Sequence, residues 1–200
     1  MKKLLSLFIC LCLLFSFTGC GDTKNTNTLN IDLEYYAKLG QIPEAEYTLG
    51  ADVDKVVKEL TAKFNDYQNS HGDDPDHSHD HNQSDFMLNV VEGENNVLID
   101  NGTINYYYNK KNKDKGISYI VNYDTAFGLE IGTVSSEVRK YLSAYELKEE
   151  QLTEENAFFV SYLTNGTVLK TEIEDVAILF VFGDNQLFAT AIYDINNWNS

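Results

Sequence analysis

The sequence predicts an α+β fold: two tandem units, each one helix packed on a roughly four-stranded antiparallel sheet, after a signal peptide and a flexible tether. Three observations predict it. Two segments, Val53–Tyr67 and Val134–Tyr145, place apolar residues at the 3.6-residue period of a helix with one buried face. Each follows a similar tetrapeptide, Tyr47-Thr-Leu-Gly50 or Leu129-Glu-Ile-Gly132. Each precedes a series of β-branched and aromatic runs punctuated by turn formers.

Met1–Gly19 opens with Met-Lys-Lys, runs apolar from Leu4 to Phe17 and ends in small residues, the pattern of a secretory signal peptide. Its apolar run is too short to span a bilayer comfortably. Residues 20–46 are a tether and a short N-terminal segment. Gly21–Asn30 is polar and aperiodic, as a flexible spacer is. Ile31–Gly40 reads either as a short helix or as irregular chain, and Pro43 breaks it.

Unit one, residues 47–128, starts with a helix whose face is Val53, Val56, Val57, Leu60, Phe64 and Tyr67, with Asp52 as its cap. Strands are predicted at Phe86–Val91, Asn96–Asp100, Thr103–Tyr108 and Gly116–Asp124. Unit two, residues 129–200, starts with a helix on Val134, Val138, Tyr141, Leu142 and Tyr145, capped by Ser135 and running on to Glu150. Its strands are predicted at Ala157–Leu163, Thr167–Glu172, Val176–Phe182 and Leu187–Asp194. Glu92-Gly93, Asn101-Gly102, Asn165-Gly166 and Gly183-Asp184-Asn185 supply the turns.

The leader holds two of the 15 basic residues and none of the 31 acidic ones, so the rest of the chain carries 13 against 31, a net charge of −18. Such acidity repels phosphate backbones and argues against nucleic acid as a partner. It suits a surface that meets cations or basic proteins. Cys10 and Cys12 lie in the leader, so Cys20 is the only other cysteine. No internal disulfide then braces the folded part, and stability must come from an apolar core.

Two resemblances follow from these residues. Cys20 after Thr18-Gly19 resembles the lipobox of bacterial lipoproteins, although Phe17 stands where leucine is usual. The resemblance implies cleavage before Cys20, diacylglycerol on its thiol, and attachment to the extracytoplasmic face of the cell membrane. The pattern Leu-x-Ile-Gly-x5-Val-x3-Leu, here Leu129 to Leu142, followed by aromatic strands, is similar to repeats of small envelope lipoproteins. These are the beta-lactamase-inhibitor-protein-like fold, the SmpA/OmlA type, and tandem-repeat lipoproteins of Gram-positive bacteria. The likeness spans Tyr47 to Trp198 and implies binding to an envelope or secreted protein rather than catalysis. It departs at the second helix, which lacks the Leu-Gly-x-Pro stop.

All four histidines lie in one eleven-residue tract, His71-Gly-Asp-Asp-Pro-Asp-His77-Ser-His79-Asp-His81, within an insertion at 70–84 between the first helix and its first strand. His77, His79 and His81 alternate, so in an extended segment they point the same way. His71 or an aspartate such as Asp80 would complete a four-ligand site, which zinc fits best and copper(II) or nickel(II) next. The tract resembles the His/Asp-rich loops of zinc-uptake lipoproteins, which implies zinc capture, but the large two-lobed body of those proteins has no counterpart here. The competing reading is a solvated acidic insertion that needs no cofactor.

Catalytic patterns are missing from the sequence. A histidine-dependent triad would have to borrow from the tract, and there is no Gly-x-Ser-x-Gly elbow, phosphate-cradling loop or His-Glu-x-x-His helix. The chain therefore reads as non-enzymatic. Tyr106, Tyr108 and Tyr119 are candidate partner-binding residues. Alternate strand residues share a face, so Tyr106 and Tyr108 do; one tyrosine face reads as core and the other as an interface.

Together these readings describe a membrane-anchored extracytoplasmic lipoprotein acting as a protein-binding, inhibitor or assembly module. The alternative is a lipoprotein that buffers or hands over zinc through His71–His81. Calorimetry separates them. Ordering the loop costs about 1–2 kcal/mol per residue, so the intact protein should bind zinc at about micromolar affinity, and deletion of 70–84 should abolish the heat. An intact protein that takes up no zinc would end the metal reading.

Overall fold

The computed structural model describes residues 29, 31–71, 87–153, 156, 158–160, 163 and 165–198, with no side chain for His71. Helix α1 is Leu33–Leu39 and helix α2 is Val53–His71. Strands β1 (Asn89–Glu92), β2 (Asn96–Asp100), β3 (Ile104–Asn109) and β4 (Tyr119–Asn122) follow, with a 3-10 turn at Lys110–Lys115 before β4. Helix α3 is Ser135–Tyr141, then come β5 (Lys148–Gln151), a 3-10 turn at Phe158–Val160, β6 (Gly166–Ile173), β7 (Val176–Gly183), β8 (Gln186–Asp194) and α4 (Ile195–Trp198).

The expectation of two tandem helix-plus-four-strand units is overturned. All the described strands belong to one open antiparallel sheet of eight, in the order β1-β2-β3-β4-β8-β7-β6-β5. The joint is β4 on β8, with Tyr119 opposite Tyr193, Ile120 opposite Ile192, Val121 opposite Ala191 and Asn122 opposite Thr190. The physical reason lies in β4 itself. Tyr-Ile-Val-Asn has no polar alternation and all four residues are buried. An edge strand of that kind would leave a row of buried backbone groups without partners, so it is driven to the interior of the sheet.

Two further expectations fail locally. The second helix does not continue to Glu150; Leu142 closes it, and Lys148–Gln151 forms β5 against Thr167–Lys170. Ser135 is not its cap either. Val134 holds the capping position without a side-chain bond, and the Ser135 hydroxyl donates to Asn185 Oδ1 instead. The predicted strand at Ala157–Leu163 contains the 3-10 turn Phe158–Val160. Here side-chain packing onto the sheet overrides a local preference for extended chain.

Both faces of the central strands are buried. One face packs Ile99, Tyr106, Ile120, Phe180 and Ile192 beneath Leu33 of α1, Val56 and Leu60 of α2, and Val138 of α3. The other carries Tyr119, Ala177, Ala189, Ala191 and Tyr193 beneath Phe158, Phe159 and Trp198. The alanines make room for the large rings that cover them, so volumes balance across this face.

Local chemistry sets the helix ends. Asp52 Oδ1 accepts from Lys55 N at 2.7 Å and caps α2 as expected. Asp32 Oδ1 accepts from Tyr35 N at 3.0 Å and caps α1, while left-handed Gly40 ends it. The chain entering α1 is held by Tyr145, whose hydroxyl donates to Ile31 O and accepts from Leu33 N, both at 2.9 Å.

Gly116 is fixed by a close backbone crossing. Gly50 N donates to Ile117 O at 2.7 Å and Ile117 N to Ala51 O at 2.9 Å. At φ 81° a Cβ on Gly116 would lie 2.5 Å from Ala51 O. Gly50 has a similar φ of 77° but open space around its Cβ position. Gly50→Ala should cost about 1–2 kcal/mol, the left-handed backbone penalty. Gly116→Ala adds a steric clash and should cost at least about 1 kcal/mol more, read by urea unfolding. Equal losses would show that the crossing gives way without resistance.

Candidate functional site

Cys20, His77, His79, Asp80 and His81 lie outside the described residues, and His71 is the last residue of α2. The described chain stops at His71, the last residue of α2, and resumes at Met87, just before β1. Among the described residues no three His, Cys, Asp or Glu side chains converge on a point that would hold a metal ion. Nor is any described helix long and apolar enough to cross a membrane.

Two of the three predicted tyrosines, Tyr106 and Tyr119, are brought into the core. Tyr106 and Tyr108 lie on the helix-covered face, where Tyr106 is fully buried and Tyr108 half-buried. The Tyr106 hydroxyl accepts from Glu46 N at 3.2 Å, and its ring meets Tyr47 edge-on at 5.5 Å. Tyr119 faces the other way and is also fully buried. It stacks on Tyr193 at 4.9 Å with planes 1° apart and is covered by Phe158 and Trp198 at 5.4 and 4.9 Å. Lys170 closes the rim, its Nζ 5.5 Å from the Tyr193 ring centre and 2.6 Å from Glu172 Oε1. Tyr106 beneath the helices and Tyr119 beneath these rings are both fully buried.

What the surface offers instead is a contrast between the two sheet edges. Among the described residues β1 pairs with β2 alone. Val90 and Val91 are 50 % and 53 % exposed, and Met87 beside them is 44 % exposed. Successive strand residues point to opposite faces, so among the described residues both faces of β1 are open. The other edge, β5, reads Lys-Glu-Glu-Gln and is entirely exposed. Its charges are engaged, with Arg139 Nη2 2.7 Å from Glu149 Oε2 and Lys148 Nζ 3.6 Å from Glu172 Oε2. Charged edges resist further pairing, whereas exposed apolar edges invite it.

A shallow cleft of about 420 Å³ lies at the start of α2, lined by Asp52, Val53, Asp54, Lys110, Lys111, Lys113 and Asp114. Its polar groups are partly committed. Asp52 caps α2, and Lys113 Nζ lies 2.6 Å from Asp54 Oδ1. That hydrogen bond raises the Lys113 ammonium above its usual range. Ion pairing therefore engages part of the cleft's charge. Sequence reasoning missed both the cleft and the open edge, because the exposure of Val90 and Val91 depends on the place of β1 in the sheet.

Burial pushes the Tyr106 phenol up to about 12, against the backbone hydrogen bonds it accepts. Burial, then the neighbouring Tyr193, raises Tyr119 well above the usual range. Both phenols therefore ionise more readily unfolded than folded. Their stabilising effect is complete below about pH 10 and is lost as pH rises through the folded values. The two hydroxyls differ at neutral pH: that of Tyr119 is buried without a hydrogen-bond partner. Tyr106→Phe should cost about 1 kcal/mol, while Tyr119→Phe should be neutral or stabilise by up to about 1 kcal/mol. Each should also lessen the loss of stability between pH 10 and 12, measured by urea unfolding. A clear loss for Tyr119→Phe at pH 7 would mean that its hydroxyl is bonded.

No protein-family profile matches the chain. No curated protein matches it. Among solved structures it is similar to a DUF4309 family protein (YjgB) from Bacillus subtilis subsp. subtilis str. 168, at 16 % identity over 84 % of this chain and 95 % of that one. The TM-score is 0.43, a likeness too distant to bear on fold or activity.

Proposed function

We propose that this chain is a membrane-anchored extracytoplasmic lipoprotein that acts without catalysis, as a protein-binding module whose docking element is the open edge of β1. The observation that carries the reading is the exposure of Val90 and Val91 on a strand that, among the described residues, is paired on one side only. Strand addition uses backbone hydrogen bonds for affinity and alternating side chains for specificity. The fitting occupant is an extended segment with apolar residues to meet the valines and basic residues to suit a chain of net charge −16. The leader and Cys20 support the anchored, extracytoplasmic part of the reading.

The second reading is zinc handling by His71, His77, His79, His81 and Asp80, favoured by the gathering of every histidine into one tract. Most of these residues lie outside the described part of the chain. The readings separate in cells. A photo-crosslinker at Val91 should give a discrete adduct with an extracytoplasmic protein, and one at Glu150 on β5 should not. Val90→Lys should reduce that adduct about tenfold or more without unfolding the protein, because Val90 is half exposed. Deletion of 70–84 should leave it intact. An adduct that depends on 70–84 and ignores Val90→Lys would sink the edge reading in favour of the tract.

A further inference from the structure

We infer that the outward face of α1 is the membrane-facing surface of the domain, with Tyr35 and Leu39 seated in the lipid headgroup region. The inference rests on the reading of Cys20 as a lipid anchor. Its own evidence is the composition of α1 and the place where the tether joins the fold.

Helix α1 has two unlike faces. Leu33 and Ala37 point inward and are buried, and Tyr36 packs on Phe127 at 5.2 Å. Glu34, Tyr35, Lys38 and Leu39 point outward. Tyr35 is 55 % exposed and Leu39 44 %, and positions four apart lie side by side on a helix. The Tyr35 ring rests edge-on against Tyr36 at 5.3 Å, which sets its direction. A tyrosine, a leucine and a lysine on one exposed face match the chemistry of a bilayer interface: apolar bodies enter the headgroup layer while the hydroxyl and ammonium stay wet. Lys38 offsets Glu34 on this face, which leaves the exposed cap Asp32 as its remaining charge and lowers the repulsion that the acidic remainder would meet at an anionic surface.

Geometry selects the membrane as occupant over other partners. The described chain begins at Leu29, whose side chain sits against Gly128, and Tyr145 holds Ile31 and Leu33. Eight residues lie between Cys20 and Leu29, nine Cα steps with a reach of about 30 Å at full extension. An anchor at Cys20 thus keeps α1 within one short tether of the bilayer. A covalent link that short raises the effective concentration of the surface at the bilayer, so even a weak contact is populated. Val90 and Val91 are as exposed, but no comparable tether joins β1 to the anchor.

The test uses the lipidated protein purified from membranes and reconstituted into phosphatidylcholine vesicles with a minor share of phosphatidylglycerol. The chain beyond the leader has no cysteine except Cys20, so Tyr35→Cys gives a unique thiol for an environment-sensitive fluorophore. Glu150→Cys, on the sheet face opposite the helices, is the control. With the protein floating on vesicles, emission from position 35 should shift to the blue. Headgroup-level nitroxides should quench it about twofold or more over position 150, and adding Leu39→Glu should abolish the difference. Flotation with position 35 as wet as position 150 overturns the face and spares the anchor. Failure to float overturns both. A blue shift without vesicles that grows with protein concentration assigns the face to a second copy and overturns the lipid contact.

Discussion

Four residue pairs between β4 and β8 hold the middle of the sheet, and much of the molecule depends on them. Without that ladder β4 and β8 would each present a buried apolar edge. With it, Tyr119 and Tyr193 are brought into parallel contact on one face, and Ile120 and Ile192 meet the helices on the other. The covering groups then follow. Alanines at 177, 189 and 191 leave a hollow, and Phe158, Phe159 and Trp198 fill it. The helices cover the other face because its row of Ile99, Tyr106, Ile120 and Phe180 is too large and apolar to stay wet.

Much of the local structure was legible in the residues, and the assembly was not. The periodicity of Val53, Val56 and Leu60 identified the buried face of α2, and Asp52 its cap. Turn formers bracketed β2, β3, β6, β7 and β8 to within a residue or two. β5 escaped because Lys148–Gln151 has no apolar alternation; its pairing with β6 is a backbone event that side-chain patterns do not record. The ladder from β4 to β8 escaped for the same reason. Its one trace was the uninterrupted apolar character of Tyr119–Val121, which marks an interior strand without naming its neighbour.

The candidate surfaces show the same limit. Alternation placed Tyr106 and Tyr108 on one face of β3, and they do lie there. What covers Tyr106 comes from Tyr47 and the helices, and what covers Tyr119 comes from Phe158 and Trp198, all distant in sequence. Exposure is a property of the assembled sheet, so aromatic residues that looked suited to a partner became core. Two valines that looked like ordinary strand residues became the open edge instead.

The Tyr145 hydroxyl has a mechanical consequence. It ties Ile31 and Leu33 to the segment between α3 and β5, across more than half the sequence. A pull on the N-terminal end of the domain is therefore not borne by α1 alone. It passes through this phenol into the half of the sheet where β6, β7 and β8 pair over their longest registers. Drag on a tethered domain would then load many hydrogen bonds together, so the fastening guards against a helix being peeled away turn by turn.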